Sequence, residues 1–300
     1  MSKGKSFTII LKFIKNSRFP VSKKDITNEL EDNDIYVNKR SVDRYLLELE
    51  QKFLIQKNDN KTFSINELVD RDEYELFLNF LYVSEISTLA MDNVSSRISI
   101  KKHIIPEYHQ NFKGVEFLPD IFKAITGNKQ LSFTYAKQFS EVRKRNVIPG
   151  LVKQYQNRWY LVAADLDADN TVKTYGLDRI SKLSIGDKTS LKIHTLDADI
   201  FKNIVGIDKR PRIKGRNELT QVKISATEVQ ANIFESMPLH HSQKISRTKE
   251  NPTLLSYNVI VNYEFIQHLF MYMPYIKVLE PQWLRQHIKE EANKIYEMHQ

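Results

Sequence analysis

Residues 157–180, NRWYLVAADLDADNTVKTYGLDRI, constrain the fold most because they predict a β-hairpin. Residues 159–164 form an apolar run with aromatic and β-branched side chains, which is the pattern of a buried strand. Residues 165–170 contain Asp and Asn, which favour turns through local side-chain hydrogen bonds. Residues 172–177 predict the returning strand. The middle of the chain is therefore expected to be a β-rich domain.

This hairpin resembles the core of WYL-domain transcriptional regulators, which carry a Trp-Tyr-Leu triplet on one strand and a TF-x-LDRI-like segment on the next. The positions that carry the resemblance are Trp159, Tyr160, Leu161, the segment 174–180 (TYGLDRI), Arg145, Val147 and Pro149 of an R-x-V-x-P pattern, and Tyr135. The sequence departs from the family pattern at Tyr175, where Phe is usual, and at Lys173 and Gly176, where Arg is common. Gly176 is expected to weaken ligand binding or to change which ligand is preferred.

The chain has 300 residues, enough for two or three domains, and contains no cysteine. Disulfides and thiolate metal sites are therefore excluded, which agrees with a reducing cytoplasm. The first residues lack the apolar core and the cleavage site of a signal peptide. The most apolar stretch, residues 74–83, is shorter than the roughly 20 residues of a membrane span. We therefore expect a cytoplasmic protein with no membrane partner, no metal and no cofactor.

The net charge of +8 is unevenly distributed along the sequence. Residues 1–66 carry 13 basic and 9 acidic side chains. Residues 67–100 carry 2 basic and 7 acidic side chains, and residues 101–160 carry 11 basic and 4 acidic side chains. Two separate basic regions predict two anion-binding surfaces. The alternative is a generally basic, solvated surface.

Residues 1–66 predict a winged helix-turn-helix. A capping box at Ser22 and Asp25 and a cap at Asn38 predict the starts of the second and third helices. Residues 53–55 and 62–65 predict two short strands joined by a wing. Apolar side chains recur at helical spacing in the three helices at Phe7, Ile10, Leu11 and Ile14, then Ile26 and Leu30, then Val42, Tyr45, Leu46 and Leu49.

The third helix has the pattern of a recognition helix, because basic residues lie opposite its apolar face. Such side chains reach phosphates and guanine edges in the major groove of DNA. The alternatives are an ordinary solvated helix and a winged helix that makes only protein contacts. The candidate DNA-binding residues are Lys39, Arg40, Ser41 and Arg44 of the helix and Lys61 of the wing.

Residues 67–126 predict an acidic, mostly helical connector. Tyr74, Phe77, Leu78 and Leu81 form an apolar stripe that is typical of core or dimer packing. A short helix is predicted to start at Pro119 and to end at Gly127, with a buried side made by Leu118, Ile121, Phe122 and Ile125.

Residues 127–208 predict five short strands, and the resemblance implies that they form a small Sm-like β-barrel. Residues 129–158 carry seven basic side chains and one acid, interleaved with aromatic residues. Basic and aromatic side chains together suit a nucleotide or a nucleic-acid strand, because cations bind phosphate and rings stack on bases. The residues that the resemblance assigns to an effector pocket are Tyr135, Arg145, Tyr160 and Arg179, with Lys173 and Arg143 as additional cations. Plain barrel packing is the favoured interpretation of Trp159 and Leu161.

Residues 209–300 predict a basic linker followed by an α/β extension. The linker, residues 209–216, is either a solvated hinge or a phosphate contact. The extension has the predicted order β-α-β-α-β-α, and the resemblance implies that it takes part in dimer contacts and ligand gating. The fold class is therefore multidomain α+β, made of a winged helix-turn-helix, a helical connector, a small Sm-like barrel and a C-terminal extension.

The sequence carries none of the common catalytic motifs, such as a Walker A loop, HExxH, Gly-x-Ser-x-Gly or a dinucleotide fingerprint. The eight histidines are scattered, and the adjacent pair His240 and His241 does not have the spacing of metal ligands. We therefore expect a binding protein and not an enzyme.

The first hypothesis is a homodimeric DNA-binding transcriptional regulator that binds an inverted-repeat operator. A repressor is favoured over an activator. The WYL-like domain senses a nucleic-acid fragment or a nucleotide, and the resemblance suggests phage-defence or DNA-damage genes as targets. The second hypothesis is an accessory protein that binds RNA or single-stranded DNA and modulates a partner nuclease. An enzyme acting on nucleic acid is the third.

Overall fold

A computed structural model describes residues 3–52, 54–69, 74, 77–78, 81, 113–136, 141–190, 198–211, 217–248 and 251–300. The chain folds as two compact units, Met1–Pro106 and Glu107–Gln300. No helix in the described ranges is both long enough and apolar enough to cross a membrane.

The first unit contains three helices whose apolar faces form one core. The helices are α1 (Lys3–Asn16), α2 (Lys23–Asp32) and α3 (Lys39–Gln51). Ser22 and Asp25 form the predicted capping box, and the Asn38 side chain accepts the hydrogen bond of the Ser41 amide at 2.8 Å. These caps satisfy amides that otherwise lack partners at helix starts. All ten apolar residues predicted from helical spacing are buried.

A three-stranded antiparallel sheet completes the first unit. Its strands are β1 (Val21–Ser22), β2 (Ile55–Lys57) and β3 (Thr62–Ile65), in the order β1-β3-β2. The β2–β3 hairpin forms the wing, and Lys61 occupies its turn with a positive φ of 61°. Tyr74 and Leu78 are buried in the helical core, and the Tyr74 hydroxyl donates to the Leu11 carbonyl at 2.9 Å. The apolar stripe is therefore core packing in the described residues.

The second unit begins with a short helix and a five-stranded antiparallel sheet. A 3-10 turn at Val115–Phe117 leads into α4 (Leu118–Thr126), and Gly127 ends the helix as predicted. The strand order is β7-β6-β5-β4-β8. The strands are β4 (Lys129–Ala136), β5 (Val142–Tyr155), β6 (Arg158–Asp165), β7 (Thr171–Gly176) and β8 (Ile180–Lys188).

The five-stranded sheet is curled, although a closed barrel is not confirmed. Among the described residues, β7 and β8 are edge strands with no ladder between them. They are nevertheless joined by the three-residue 3-10 turn Leu177–Arg179. Two edges of a flat five-stranded sheet lie about 19 Å apart, whereas the chain from Gly176 to Ile180 spans at most about 14 Å. The edges must therefore approach each other.

The concave, inner face of the sheet packs against α4. Ile121 and Ala124 of this helix are fully buried in that core, whereas the ring of Phe122 is 67% exposed. The prediction that Phe122 belongs to the buried side was wrong, because the small Ala124 faces the sheet in its place. Inner residues alternate along the strands, as Leu131, Phe133 and Tyr135 do on β4.

The C-terminal part of the second unit is a four-stranded antiparallel sheet with three helices. The strand order is β10-β11-β9-β12, and the prediction of three strands was wrong because it missed β10, a short polar strand. The strands are β9 (Thr220–Ala226), β10 (Lys244–Thr248), β11 (Asn251–Val259) and β12 (Ile276–Glu280). The helices are α6 (Glu228–Ser236), α7 (Tyr263–Tyr272) and α8 (Gln282–Met298).

A connecting segment joins the two sheets of the second unit. It starts with α5 (Ala198–Lys202), and Phe201 and Ile204 pack on the outer face of the five-stranded sheet together with Ile260. Outer residues of β6, such as Val162, complete this small core. The segment therefore fixes the C-terminal sheet against the outer face of the five-stranded sheet.

Candidate functional site

The outer face of α3 presents basic side chains to solvent. Lys39, Arg40 and Arg44 are exposed, whereas the side of the helix that carries Val42 and Leu46 is buried. The Arg44 guanidinium lies 5.7 Å from the centroid of the Tyr45 ring, and the Lys23 ammonium pairs with Asp43. Arg40 and Arg44 therefore lie on the solvent-exposed side of α3.

The other two predicted contact residues of the first unit also lie near its surface. Ser41 is half-buried, and its amide is occupied by the Asn38 cap. Lys61 is exposed at the tip of the wing. Ser41 lies in the first turn of α3, and Lys61 lies in the separate wing.

A second candidate site is a cavity of about 790 Å³ in the second unit. It opens at the end of the inner face of the five-stranded sheet, and residues 207–210 of the connecting segment form part of its wall. Six cationic side chains line it: Arg143, Arg145, Lys173, Arg179, Lys209 and Arg210. Its acidic lining residues are Glu141, Asp208 and Glu264.

Asp165 organises the cationic end of this cavity. It is fully buried at the end of β6, and its Oδ2 accepts from Lys173 Nζ at 2.7 Å and from the Tyr175 hydroxyl at 2.9 Å. Arg145 Nη1 lies 3.4 Å from the same oxygen. The Asp167 amide donates to the other oxygen at 3.0 Å. Because inner residues alternate along each strand, Arg145, Lys173 and Tyr175 all face this carboxylate.

The ionisation of Asp165 follows from these contacts. Burial opposes the charged form, but the hydrogen bonds from Lys173 and Tyr175 and the charge of Lys173 outweigh it, so the pKa of the carboxyl lies below its ordinary 3.8. Burial, followed by the hydrogen bond to Asp165, raises the pKa of the Tyr175 phenol. At neutral pH Asp165 is therefore charged and Tyr175 is a neutral donor.

Arg179 is a half-buried cation in the lining of this cavity. Its guanidinium lies 5.2 Å from the centroid of the Tyr135 ring. Its Nε is buried and donates no hydrogen bond within the part of the chain that the structure describes. The neighbouring Asp178 pairs instead with Arg158, at 3.9 Å. A buried donor without a partner costs about 1–3 kcal/mol, so an anion that accepts from Arg179 would recover this free energy.

Gly176 explains how Arg179 fits into the cavity. A Cβ at this position would lie 2.9 Å from Arg179 Nη2 and 2.6 Å from Asp178 Oδ1. Any larger residue would therefore push the guanidinium away.

The aromatic residues near the cavity are packed into the core. Phe133, Tyr135 and Tyr175 are buried and meet edge to face, with ring centroids 5.0–6.3 Å apart. Phe133 and Tyr135, two of the aromatic residues expected to suit a nucleic-acid ligand, are therefore packed in the core.

Tyr160, also predicted for the effector pocket, is not among the residues that line the cavity. It lies on β6 between Trp159 and Leu161, and side chains alternate along a strand, so it points to the outer face. There it is buried, with 7% of its surface exposed. The other five predicted residues, Tyr135, Arg143, Arg145, Lys173 and Arg179, all line the cavity.

Two residues of the C-terminal part hold the connecting segment against the cavity. Glu264 accepts from the amides of Ile207 and Asp208 at 3.2 Å, and the Asn262 amide group donates to the Val205 and Asp208 carbonyls at 2.6 and 2.9 Å. Burial raises the pKa of Glu264, although the two amides oppose this shift. No described group of three or more His, Asp and Glu side chains is placed to hold a metal ion.

Three family models match the chain. Residues 116–185 match the WYL domain, residues 218–296 match the WCX domain, and residues 8–71 match the winged-helix domain of ribonuclease R. The chain therefore has the domain architecture of a WYL-domain regulator. The winged-helix match covers the first unit, and the cavity lies between the WYL domain and the connecting segment before the WCX domain.

Two solved structures are similar over most of the chain, at low identity. The proteasome accessory factor B/C (PafBC) of Arthrobacter aurescens is 13% identical with a TM-score of 0.35, and the match covers 96% of this chain and 46% of that one. A CRISPR Cas-related protein is 15% identical with a TM-score of 0.38, covering 98% and 84%. These scores are too low to support a functional argument. No curated protein matches this WYL-domain regulator.

Sequence reasoning missed Asp165, Asn262 and Glu264, which shape the cavity without being cations. Asp165 was assigned to the hairpin turn, although its odd-numbered position continues the inner face of Leu161 and Ala163. A signal for Asn262 was present in its position before α7, where its side chain accepts from the Phe265 amide at 3.0 Å.

We predict that Asp165→Asn destabilises the WYL domain, because it leaves Arg145 and Lys173 facing each other without a counter-charge. Both cations are partly exposed, so the loss should be about 1–3 kcal/mol, less than for a fully buried pair. Urea denaturation monitored by circular dichroism measures this difference.

The control is Asp167→Asn, which changes an exposed carboxyl two residues away. The folded-state pKa of Asp165 is lowered, so the advantage of the wild-type chain should be complete above the ordinary pKa of 3.8 and should shrink as the pH falls below it. Equal stability of the Asp165→Asn and Asp167→Asn variants at neutral pH would contradict the role of Asp165.

Proposed function

We propose that this WYL-domain regulator is a cytoplasmic repressor that binds an inverted-repeat operator as a homodimer. A nucleic-acid fragment or nucleotide in the WYL-domain cavity changes its affinity for the operator. The observation that carries the proposal is an exposed arginine-bearing helix in one unit combined with a separate cation-lined cavity in the other. Phage-defence or DNA-damage genes are the targets that the family resemblance suggests.

The first unit supports operator binding through the geometry of α3. Its arginines are exposed opposite a fully buried apolar face, and its start is fixed by the Asn38 cap. A guanidinium on a fixed helix can donate two hydrogen bonds to the O6 and N7 atoms of guanine. Lys39 near the start of the helix and Lys61 in the wing are suited to phosphate contacts.

The cavity supports anion sensing through a balance of charges. Asp165 offsets part of the charge of Arg145 and Lys173, whereas Arg179 has a buried Nε without an acceptor in the described residues. A phosphate group supplies that acceptor. Coupling to DNA binding requires that the ligand prefers one arrangement of the dimer, and a factor of roughly 5–150 is ordinary for such coupling.

The homodimer is supported by exposed apolar side chains at the end of α8. Ile295, Tyr296 and Met298 are 48%, 68% and 81% exposed. A symmetric dimer matches an operator whose half-sites are related by a two-fold axis. Because Tyr74 and Leu78 are buried in the first unit, the C-terminal extension is the preferred interface.

We predict that Arg40→Ala combined with Arg44→Ala abolishes specific binding to the promoter of the protein's own gene. Each bidentate arginine–guanine contact contributes about 1–3 kcal/mol of discrimination, and both side chains are exposed, so the fold should be unaffected. Gel-shift titrations with specific and scrambled duplexes measure the change.

The matched control is Arg40→Lys combined with Arg44→Lys, which keeps both charges and removes the planar donor pair. Loss of specificity with retained binding to scrambled duplex is expected for this variant. Unchanged specific affinity in the alanine variant would show that α3 does not read the operator.

We predict that Arg143→Met combined with Arg179→Met removes the response of operator binding to short single strands or nucleotides. Neither side chain contacts Asp165, so the WYL domain should remain folded. Fluorescence anisotropy of a labelled operator, with and without a competing oligonucleotide, measures this response.

Lys144→Met is the control, because Lys144 is exposed and points to the opposite face of β5 from Arg143 and Arg145. Its response should equal that of the wild type. If the double variant loses operator binding itself, the cavity belongs to the DNA-binding surface. Binding of single strands by the wild type without any preference for the promoter duplex would favour the accessory-protein hypothesis.

A further inference from the structure

A second cavity lies at the junction of the WYL and WCX domains and has a volume of about 620 Å³. Its walls come from the end of β5, from the connecting segment, from the loop after α6 and from α7. Phe201 lines both this junction cavity and the effector cavity. The junction cavity therefore touches the segment that also forms a wall of the effector cavity.

Nitrogen-bearing side chains dominate the polar lining of the junction cavity. Among the described residues that line it, none is Asp or Glu, in contrast to the three acids of the effector cavity. Its apolar lining includes Met237, Pro238 and the ring of Tyr272. The basic residues that line it are Lys153, Lys202, His240, His241 and His268.

Lys153 is fixed at the base of the junction cavity. Its Nζ donates to the Phe201 carbonyl at 2.6 Å and to the Ile204 carbonyl at 3.1 Å. An ammonium group has three donors, so one remains for a bound anion. Burial lowers the pKa of Lys153 to about 8, against the opposing effect of the Glu264 charge. A nearby anion would stabilise the charged ammonium.

His268 presents a second donor through a defined chain of hydrogen bonds. Its Nε2 lies 3.2 Å from the hydroxyl of Tyr155, which accepts from Gln156 Nε2 at 3.3 Å. Burial raises the pKa of Tyr155 to about 12, so its hydroxyl is protonated at neutral pH and can donate to Nε2. A neutral imidazole that accepts at Nε2 carries its proton at Nδ1.

The Nδ1 atom of His268 is buried and has no hydrogen-bond partner within the described residues. Burial also lowers the pKa of this histidine, which favours the neutral, Nδ1-protonated form. The cavity therefore combines an unused histidine donor, a spare ammonium donor and an apolar wall. That combination suits a small anion attached to a flat ring.

We propose that the junction cavity is a second ligand site, which binds a small aromatic phosphate or carboxylate. The anionic group accepts from Lys153 Nζ and His268 Nδ1, and the ring lies against Met237, Pro238 and Tyr272. Because the walls come from both domains and from the connecting segment, such a ligand holds the WCX domain against the WYL sheet. This site is separate from the effector cavity and does not depend on the function proposed for it.

Calorimetric titration of the full chain with phenyl phosphate tests the proposal. The wild type should bind the probe, and inorganic phosphate should bind more weakly because it lacks the ring. His268→Phe keeps a ring of similar size and removes Nδ1, so it should weaken binding about tenfold, the effect of losing one charge-assisted hydrogen bond. Lys202→Met removes an exposed cationic side chain from the cavity lining, so it should weaken binding of the anionic probe without affecting the fold.

The control is Lys188→Met, which removes an exposed charge at the end of β8 from a residue that lines neither cavity. Its affinity for phenyl phosphate should equal that of the wild type. No binding by the wild type, or equal binding by the wild type, His268→Phe and Lys202→Met, would overturn the proposal. Loss of probe binding in Arg143→Met with Arg179→Met would place the probe in the effector cavity and would overturn it as well.

Discussion

The buried carboxylate of Asp165 is the interaction on which the WYL domain depends. A charge without exposed surface is tolerated only when it is paired and hydrogen-bonded, and Lys173, Tyr175, Arg145 and the Asp167 amide meet that need. The same contacts hold the two cations at the end of the inner face. They also reduce the charge that these two cations offer to a ligand, whereas the buried Nε of Arg179 has no partner among the described residues.

The features proposed for operator binding and for ligand binding lie in two separate units. In the first unit, a small helical core orients the arginines of α3, and the described part of that core is formed by side chains of the chain itself. In the second unit, the curled sheet, the connecting segment and the WCX domain share two cavities whose common wall includes Phe201. A ligand in either cavity contacts the segment that Glu264 and Asn262 hold in place. Regulation by a ligand would therefore act through the geometry of the second unit.

Local patterns in the sequence predicted the helices and the hairpin. The caps at Ser22 and Asn38 and the apolar spacing of α1–α3 were confirmed because each depends on residues a few positions apart. Long-range features were harder to predict. Asp165 acquires its partners only when β5, β6 and β7 align, and β10 lacks the apolar alternation that marks a strand. The alternation of side chains along β6 places Tyr160 on the face opposite Trp159 and Leu161, and only the family resemblance assigned it to the pocket.

The central claim is that a ligand in the effector cavity and the operator on the winged helix influence each other. Thermodynamic linkage requires the effect to be reciprocal, so the operator must change the affinity for the ligand by the factor by which the ligand changes the affinity for the operator. The most direct measurement is the dissociation constant of a short single-stranded oligonucleotide, determined by calorimetry with and without saturating operator duplex. The account predicts two different constants, with a ratio equal to the shift in operator affinity. Identical constants in the two titrations would contradict it.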